Sequence, residues 1–358
     1  MLRLKKLRLQ PAEIFNSEHM GQDLAGKTVR GGINTMGAQG ALFVLKLGRT
    51  IVLAHLLTPQ DFGLIGMVMV VVSFATMFKN AGLNMATVQR AEITHDQIST
   101  LFGINVLISV GLGMCIVAGA PLVASFYERP ELTAVTMVLA FSFVIQGLTI
   151  QHAALLRRHM RFGALAIEKI VAAMVSLTVA IILALQGWSY WSLVGSTIAS
   201  AVAMLIITYF FCPWRPGRMK KGTGVRDMLK FGGHLTGFNF INYFARNADN
   251  ILIGKFIGAD GLGIYAKAYQ LFMMPITQVR GPLAQVAMPV LSSLKSTPMR
   301  YVKYYKNIVD TLATLMIPFA FYCALEADFL INFILGEQWL AAVPVFRVLA
   351  IGGVVISI

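Results

Sequence analysis

The 358-residue chain is 57% hydrophobic and 13% charged, whereas soluble domains carry about a quarter charged residues. This composition excludes an ordinary soluble enzyme or binding domain. The net charge of +14 does not indicate nucleic-acid binding, because the basic residues lie in short segments between apolar blocks, where membrane topology places Lys and Arg.

Ten transmembrane helices are predicted from apolar blocks of about 20 residues, the length that crosses the hydrocarbon core of a bilayer. The blocks are continuous, as at 68–78 and 171–185, which favours helices over the alternating strands of a membrane barrel. An all-α, polytopic membrane protein is therefore expected. In chain order the predicted spans are 33–57, 62–88, 100–125, 132–156, 164–186, 189–212, 231–257, 262–290, 306–334 and 341–358.

Basic residues mark one side of the predicted membrane. Residues 1–30 form a basic arm without the apolar core of a signal peptide. The joints after spans two, four, six and eight are also basic, whereas the opposite joints contain only Arg129, flanked by Glu128 and Glu131. By the positive-inside rule, the arm and the basic joints are predicted to be cytoplasmic. The basic joints contain Arg90, Arg157, Arg158, Arg161, Arg215, Arg218, Lys220, Lys221, Arg226, Lys230, Lys295, Arg300, Lys303 and Lys306.

The chain contains an internal repeat. Shifting the sequence by 200 residues aligns 31–90 with 231–290 without a gap and pairs Gly63 with Gly263. An even number of spans separates the copies, so the repeats are predicted to be parallel. The second copy has four predicted helices where the first has six, so we expect the chain to be truncated by at least two helices. The predicted division is a basic arm at 1–30, a six-helix bundle at 31–212, a basic linker at 213–230 and an incomplete second bundle at 231–358.

Charged residues inside the predicted spans are costly, by about 2.5–3.5 kcal/mol at a helix centre, and so tend to face a cavity or a partner. Lys46 and Arg49 lie centrally in the first span, and the i, i+3 spacing puts them on one helical face. Arg246 and Asp249 are spaced in the same way in the seventh span. We predict that Lys46, Arg49 and Arg246 line a cationic, substrate-binding lumen, with Asp249 and Glu168 as candidate ion-coupling residues.

Two alternatives stay open for these charges. One is a structural Arg246–Asp249 ion pair buried between helices. The other, which is favoured for charges near span ends, is that long side chains extend toward the membrane surface. A cationic lumen suits an anionic headgroup, because guanidinium offers phosphate oxygens a planar, two-pronged donor.

The sequence contains no motif for nucleotide hydrolysis, nucleophilic catalysis or metal binding. Cys115, Cys212 and Cys323 are far apart and lie in or beside apolar blocks, so neither a disulfide framework nor a metal site is expected. The histidines are scattered and are expected to be structural. We therefore predict a protein that is not an enzyme and needs no cofactor or metal.

Four segments occur in a specific order. They are Leu-Leu-Thr-Pro-Gln-Asp-Phe-Gly at 56–63, Arg-Arg-His-Met-Arg-Phe at 157–162, Gly-Trp-Ser-Tyr-Trp-Ser-Leu-Val at 187–194, and Arg-Asn-Ala-Asp-Asn-Ile-Leu-Ile-Gly-Lys-Phe-Ile-Gly at 246–258. Together they resemble the bacterial polysaccharide exporters, in the colanic acid and lipopolysaccharide branch of the multidrug/oligosaccharidyl-lipid/polysaccharide superfamily. The resemblance covers nearly the whole chain after Gly31.

The resemblance implies two V-shaped six-helix bundles in the bacterial inner membrane. It implies flipping of undecaprenyl-pyrophosphate-linked oligosaccharide units toward the periplasm, with membrane lipids and the polysaccharide polymerase machinery as partners. Relatives use cationic residues in the central cavity, which fits Lys46, Arg49 and Arg246.

The sequence identifies neither the sugar nor the coupling ion. Two other functions stay open: an ion-coupled small-molecule exporter, which favours a lumen rich in Asp and Glu, and a membrane glycosyltransferase or polymerase, which needs large outer loops.

Overall fold

The computed structural model describes residues 8–9, 24–79, 87, 93–220 and 225–357, and every regular element within these ranges is a helix. The predicted all-α class is therefore confirmed. A 3-10 helix at Glu337–Ala342 stands between the last two α-helices. The α-helices are α1 (Leu24–Leu56), α2 (Pro59–Lys79), α3 (His95–Tyr127), α4 (Glu131–Arg158), α5 (Phe162–Leu185), α6 (Trp191–Phe211), α7 (Val225–Phe256), α8 (Gly258–Ser293), α9 (Pro298–Leu325), α10 (Ala327–Leu335) and α11 (Val343–Ser357).

The length and apolarity of the helices support a multi-pass membrane protein. Within the described residues, seven helices are long and apolar enough to cross a bilayer, namely most of α1, most of α2, and all of α3, α4, α5, α6 and α9. α7 and α8 are also long, with 32 and 36 residues, but they are not among the helices that are apolar enough to cross a bilayer. The assignment of α7, α8 and the 15-residue α11 as membrane spans stays a prediction.

Short polar signals set several helix starts. Asp61 accepts hydrogen bonds from the backbone N–H and the hydroxyl of Thr58 at 2.9 and 2.8 Å, which closes the turn into α2. At α3, Thr94 Oγ1 accepts from the backbone of Gln97 while Gln97 Oε1 accepts from the backbone of Thr94. This reciprocal capping box satisfies two backbone donors that a helix N-terminus leaves free.

The predicted ninth span, 306–334, is wrong as one continuous helix. α9 ends at Leu325, and Glu326 leads into the separate nine-residue α10. Arg347 of α11 donates to the free carbonyl of Ala324 at 3.3 Å and pairs with Asp328. These bonds satisfy a carbonyl that the end of α9 leaves without a helical partner. Gly336 then ends α10 at a φ of 97°, a conformation that glycine adopts without a steric penalty.

Packing divides the chain into two compact units: Met1–Leu57 with Leu64–Phe256, and Thr58–Gly63 with Ile257–Ile358. In the first unit α3 packs along α4, α5 along α6, α1 on α5 and α4 on α6. In the second unit α8 and α9 pack on α11. The predicted boundary at 213–230 differs from this division, because α7 packs with the first unit.

The second unit is built around Trp339, whose side chain is fully buried. The ring of Phe62, near the start of α2, lies with its centroid 5.6 Å from that of Trp339. Lys267 of α8 is buried, and its Nζ lies 3.8 Å from the centroid of the Phe62 ring. That contact is a cation–π interaction, which offsets part of the cost of burying the ammonium group.

The starts of α2 and α8 cross backbone to backbone within the second unit. A Cβ atom on Gly63 would lie 1.6 Å from the carbonyl oxygen of Ala259, and one on Gly263 would lie 1.9 Å from the carbonyl oxygen of Pro59. The 200-residue shift pairs Pro59 with Ala259 and Gly63 with Gly263. The two contacts are therefore reciprocal, as a two-fold relation between the segments would make them. This crossing is compatible with the predicted repeat.

Candidate functional site

Arg49 lies on α1 of the first unit and is half-buried. Its Nη2 donates to Ser196 Oγ of α6 at 3.2 Å. Ser196 is fully buried, and its hydroxyl donates to the carbonyl of Leu193 at 2.9 Å, so an oxygen lone pair faces the guanidinium. Lys46, one turn earlier on α1, is exposed. The structure thus holds one predicted cation against a neighbouring helix and leaves the other accessible.

Arg246 lies on α7 and is exposed. Its Nε donates to Asn242 Oδ1, one turn earlier on the same helix, at 3.3 Å. Asp249 is half-buried, and its Oδ1 accepts from the backbone and side chain of Asn250 at 2.8 and 3.3 Å. The alternative of a buried Arg246–Asp249 ion pair does not fit, since Arg246 is exposed and bonds to Asn242.

The two cation-bearing helices have different neighbours in the first unit. α1 packs on α5, whereas Tyr243 of α7 donates to the carbonyl of Val70 on α2. The rings of Tyr243 and Phe244 lie 5.4 and 5.6 Å from Phe74, also on α2. No hydrogen bond or ring contact among the described residues joins Lys46 or Arg49 to Arg246, so a common lumen stays a prediction.

The last turn of α7 is joined to the α3–α4 joint. Lys255 Nζ donates to Glu128 Oε1 at 2.7 Å, and this bond together with the ammonium charge lowers the pKa of Glu128. Lys255 Nζ also lies 5.5 Å from the Phe126 ring centroid. The topology prediction places both segments on the same, outer side of the membrane, and the contact is consistent with that placement.

Glu168, the other candidate ion-coupling residue, lies on α5 and is buried. The cations that act on its carboxyl group are Lys169, the next residue, and Arg157 at the end of α4. No described contact connects Glu168 with Asp249. The structure therefore places the two candidates on separate helices. Among the residues that the structure describes, no three His, Cys, Asp or Glu side chains cluster as metal ligands.

A docked segment at 213–220 was not predicted from the sequence, which indicated only a linker there. Trp214 is buried, and its carbonyl lies 3.1 Å from Nε2 of the buried His152. Its indole N–H donates to His95 Nδ1 at 3.2 Å. Lys220 pairs with Asp96 at 2.8 Å. The one available signal was a tryptophan within an otherwise basic loop.

The cytoplasmic side predicted from the basic joints corresponds to one end of the first unit. There the backbone N–H of Leu9 donates to the carbonyl of Phe211 at 2.8 Å. Leu9 and Cys212 are both buried in the same cluster as Trp214. Burial raises the pKa of the Cys212 thiol to about 11, so this thiol is protonated at neutral pH and is a poor nucleophile.

The sequence profile of a family described as polysaccharide biosynthesis protein matches residues 52–344. The teichuronic acid biosynthesis protein TuaB of Bacillus subtilis is 29% identical over 284 residues, covering 78% of this chain and 59% of TuaB. The lipopolysaccharide biosynthesis protein WzxC of Escherichia coli is 24% identical, with 94% of this chain and 68% of WzxC covered. The succinoglycan biosynthesis transport protein ExoT of Rhizobium meliloti is 24% identical, with 86% of this chain and 63% of ExoT covered. The chain thus spans about six tenths of the length of these relatives.

A solved structure shares the fold. The inward-facing conformation of a multidrug resistance MATE family transporter of the MOP superfamily matches with a TM-score of 0.63 at 16% identity. The match covers 87% of this chain and 78% of that transporter. At this identity the likeness shows the fold alone.

Proposed function

Because the match over residues 52–344 shows that this chain belongs to the polysaccharide biosynthesis protein family, we propose that it flips lipid-linked oligosaccharide units across a bacterial inner membrane. The names of its relatives support intermediates of polysaccharide synthesis as the cargo class. The observation that carries the proposal is the guanidinium of Arg49, held half-buried within a unit of apolar helices.

Arg49 has the donors that a diphosphate requires. A guanidinium group carries five N–H bonds, and the described contacts engage only Nη2, through Ser196. The N–H bonds on the other nitrogens are available for phosphate oxygens, which guanidinium binds in a two-pronged geometry. Lys46 adds a second positive charge one turn away on the same face. The proposed cargo is therefore linked to undecaprenyl pyrophosphate, with the diphosphate at Lys46 and Arg49 and the lipid tail in the hydrocarbon.

Arg246 is the third proposed substrate-binding residue. Among the described residues, its exposed side chain hydrogen-bonds only to Asn242 of its own helix, so it can change rotamer when an anion arrives. Asp249 and Glu168 are the proposed sites of proton or sodium coupling. We also propose a cytoplasmic N-terminus and contact with the polysaccharide polymerase machinery. The sugar unit and the coupling ion stay open.

The second candidate function is an ion-coupled exporter of small molecules, which the fold shared with a multidrug transporter favours. Cationic drugs require a site rich in carboxylates, whereas α1 presents Lys46 and Arg49. The charge of the proposed site therefore favours an anionic cargo.

The proposal is tested by deleting the gene in its host and measuring on which membrane face lipid-linked oligosaccharides reside, with a reagent that cannot cross the bilayer. We expect them to accumulate on the cytoplasmic face and to be cleared when the intact gene is restored. A gene carrying Arg49→Ala and Arg246→Ala is expected to clear them poorly at equal protein level.

The two functions give opposite outcomes in this experiment. An unchanged distribution of glycolipid in the deletion strain, together with increased sensitivity to cationic drugs, would support the small-molecule exporter and contradict the flippase. Full clearance by the double variant would leave the flippase intact and remove the role of the two arginines.

A further inference from the structure

A cavity of about 180 Å3 lies between α1, α4 and α5 of the first unit. We name it the rim pocket. Polar and charged side chains line part of it, namely Gln39, Arg157 and Lys169, and apolar side chains line the rest, including Leu42, Phe162 and Leu165.

The two cations of the rim pocket, Arg157 and Lys169, act together on one buried carboxyl group, that of Glu168. Arg157 and Lys169 are both exposed, and neither side chain makes an ion pair or hydrogen bond with any residue that the structure describes. Glu168 precedes Lys169 but is only 4% exposed and does not line the cavity. Two exposed cations beside the Gln39 amide, with one buried carboxyl group near them, leave a positively charged site for an anion with several oxygens.

The pocket extends from the ends of α4 and α5 inward along α5. Arg157 lies in the last turn of α4, and Phe162 begins α5. Lys169 lies seven residues after Phe162, which is about 10 Å along a helix axis. Arg157 therefore lies at the helix ends, whereas Lys169 lies about two helical turns further in, beyond Phe162 and Leu165.

We propose that the rim pocket binds the phosphate group of a membrane lipid between Arg157 and Lys169, with the apolar part of that lipid against Leu42, Phe162 and Leu165. The site is distinct from Lys46, Arg49 and Arg246, and it requires no transport activity. Two lipids share the chemistry, an anionic phospholipid of the surrounding leaflet and a polyprenyl diphosphate.

The test uses the whole chain in nanodiscs of phosphatidylcholine that contain a small fraction of either phosphatidylglycerol or polyprenyl diphosphate. Native mass spectrometry counts the lipid that stays bound. Replacing Arg157 and Lys169 together by alanine should lower binding about tenfold, the effect of losing one or two charge-assisted hydrogen bonds. The control replaces Arg215 and Arg218, exposed bases at the same end of the unit and outside the cavity, and should change binding little.

A second variant, Ala166→Phe, keeps both charges and fills the cavity that Ala166 lines. It should lower binding as strongly as the double alanine variant, and circular dichroism checks that each variant is folded. Preferential loss of one of the two lipids identifies the source of the phosphate. Unchanged binding in both variants, an equal loss in the control, or binding of soluble pyrophosphate as tight as that of either lipid would overturn the proposal. Transport is not measured, so the outcome is independent of the proposed flippase activity.

Discussion

The helix pairs α1–α2 and α7–α8, which the 200-residue shift relates, agree where their second helices begin. Each second helix has an acidic residue in its first turn, Asp61 in α2 and Asp260 in α8. Each also places a glycine, Gly63 or Gly263, against the backbone of the other. Any side chain at either glycine meets a carbonyl group, so the same steric limit acts on both copies.

The same two pairs differ at their charged positions. The shift pairs Lys46 with Arg246, both exposed, and Arg49 with Asp249, both half-buried. Arg49 donates to Ser196 of another helix, whereas Asp249 accepts from the adjacent Asn250. At the backbone crossing, steric overlap limits which residue types fit. At a position proposed to bind an anion, the requirements are a positive charge and a side chain long enough to contact the anion. The glycine crossing is a feature of the structure, whereas the role of the charged positions stays a prediction.

The largest expected effect is on the crossing itself. Gly63→Ala and Gly263→Ala should each lower the free energy of unfolding by about 3 kcal/mol or more, because the new methyl group overlaps a backbone carbonyl that cannot rotate away. Thermal unfolding of the purified protein in detergent measures the effect. The control is Gly119→Ala in α3, where a Cβ meets nothing within 4 Å. Comparable losses in all three variants would contradict a specific crossing, and tolerance at only one of Gly63 and Gly263 would contradict its reciprocity.

The next effect concerns Arg49. Arg49→Ala should lower the rate of glycolipid transport in proteoliposomes about tenfold, because a charge-assisted hydrogen bond contributes about 1.5–3 kcal/mol. The transport rate of Arg49→Lys should fall between the rates of the parent and of Arg49→Ala, because lysine keeps the charge but lacks the planar guanidinium fork. Ser196→Ala keeps the guanidinium and removes only its tether, and it should retain most of the rate. A Ser196→Ala loss equal to that of Arg49→Ala would assign the arginine a purely structural role.

Arg246 should matter less than Arg49. Arg246→Ala should lower the transport rate by at most about fivefold, since exposed charges contribute about 1 kcal/mol or less. Arg246→Lys should be close to the parent, because the long flexible ammonium group retains the charge and the reach. Asn242→Ala is the matched control, because it removes the hydrogen-bond acceptor of Arg246 and retains the guanidinium group. A loss larger than that of Arg49→Ala in the same assay would reverse the order of the two residues.

The smallest effect is the pH dependence at the end of α7. Lys255 holds the pKa of Glu128 below its ordinary value, so the pair stabilises the folded state above that ordinary value. The stabilisation is lost as the pH falls through the lowered pKa, when Glu128 takes up a proton. Thermal unfolding of the parent and of Lys255→Ala at neutral and acidic pH measures the difference.

The gap between these two proteins should be a few degrees at most near neutral pH, because the pair is exposed, and should close on acidification. In a Glu128→Gln background, residue 128 does not titrate. Adding Lys255→Ala to that background should therefore change the unfolding temperature by the same amount at neutral and at acidic pH. A gap that persists unchanged at acidic pH would show that Lys255 acts through Phe126 packing and not through Glu128.

The helices were predictable because continuous apolar blocks leave few other structures for a chain in a bilayer. The bounds of α4, α5 and α6 lie within a few residues of the predicted spans. The break at Glu326 was not predictable, because it depends on Arg347 of a later helix reaching Ala324 and Asp328. Contacts between elements distant in sequence leave no local pattern.

The candidate site was predictable in its residues and not in its geometry. Spacing along α1 shows that Lys46 and Arg49 share a face, but only tertiary structure shows that Ser196 holds one of them. The docking of Trp214 against His95 and His152, and the approach of Gln39 to Arg157 and Lys169, likewise join separate helices. The sequence analysis placed Trp214, His95 and Arg157 between spans and Gln39, His152 and Lys169 within spans, and it predicted none of these contacts.

A decisive measurement of the proposed cationic site is the binding of a lipid-linked diphosphate to the purified chain and to a variant in which Lys46, Arg49 and Arg246 are all replaced by alanine. The comparison ligand is the same lipid with a neutral hydroxyl in place of the diphosphate. We predict that the parent prefers the diphosphate and that the variant binds both ligands alike. Equal preference for the diphosphate in parent and variant would contradict the assignment of these three cations to the headgroup.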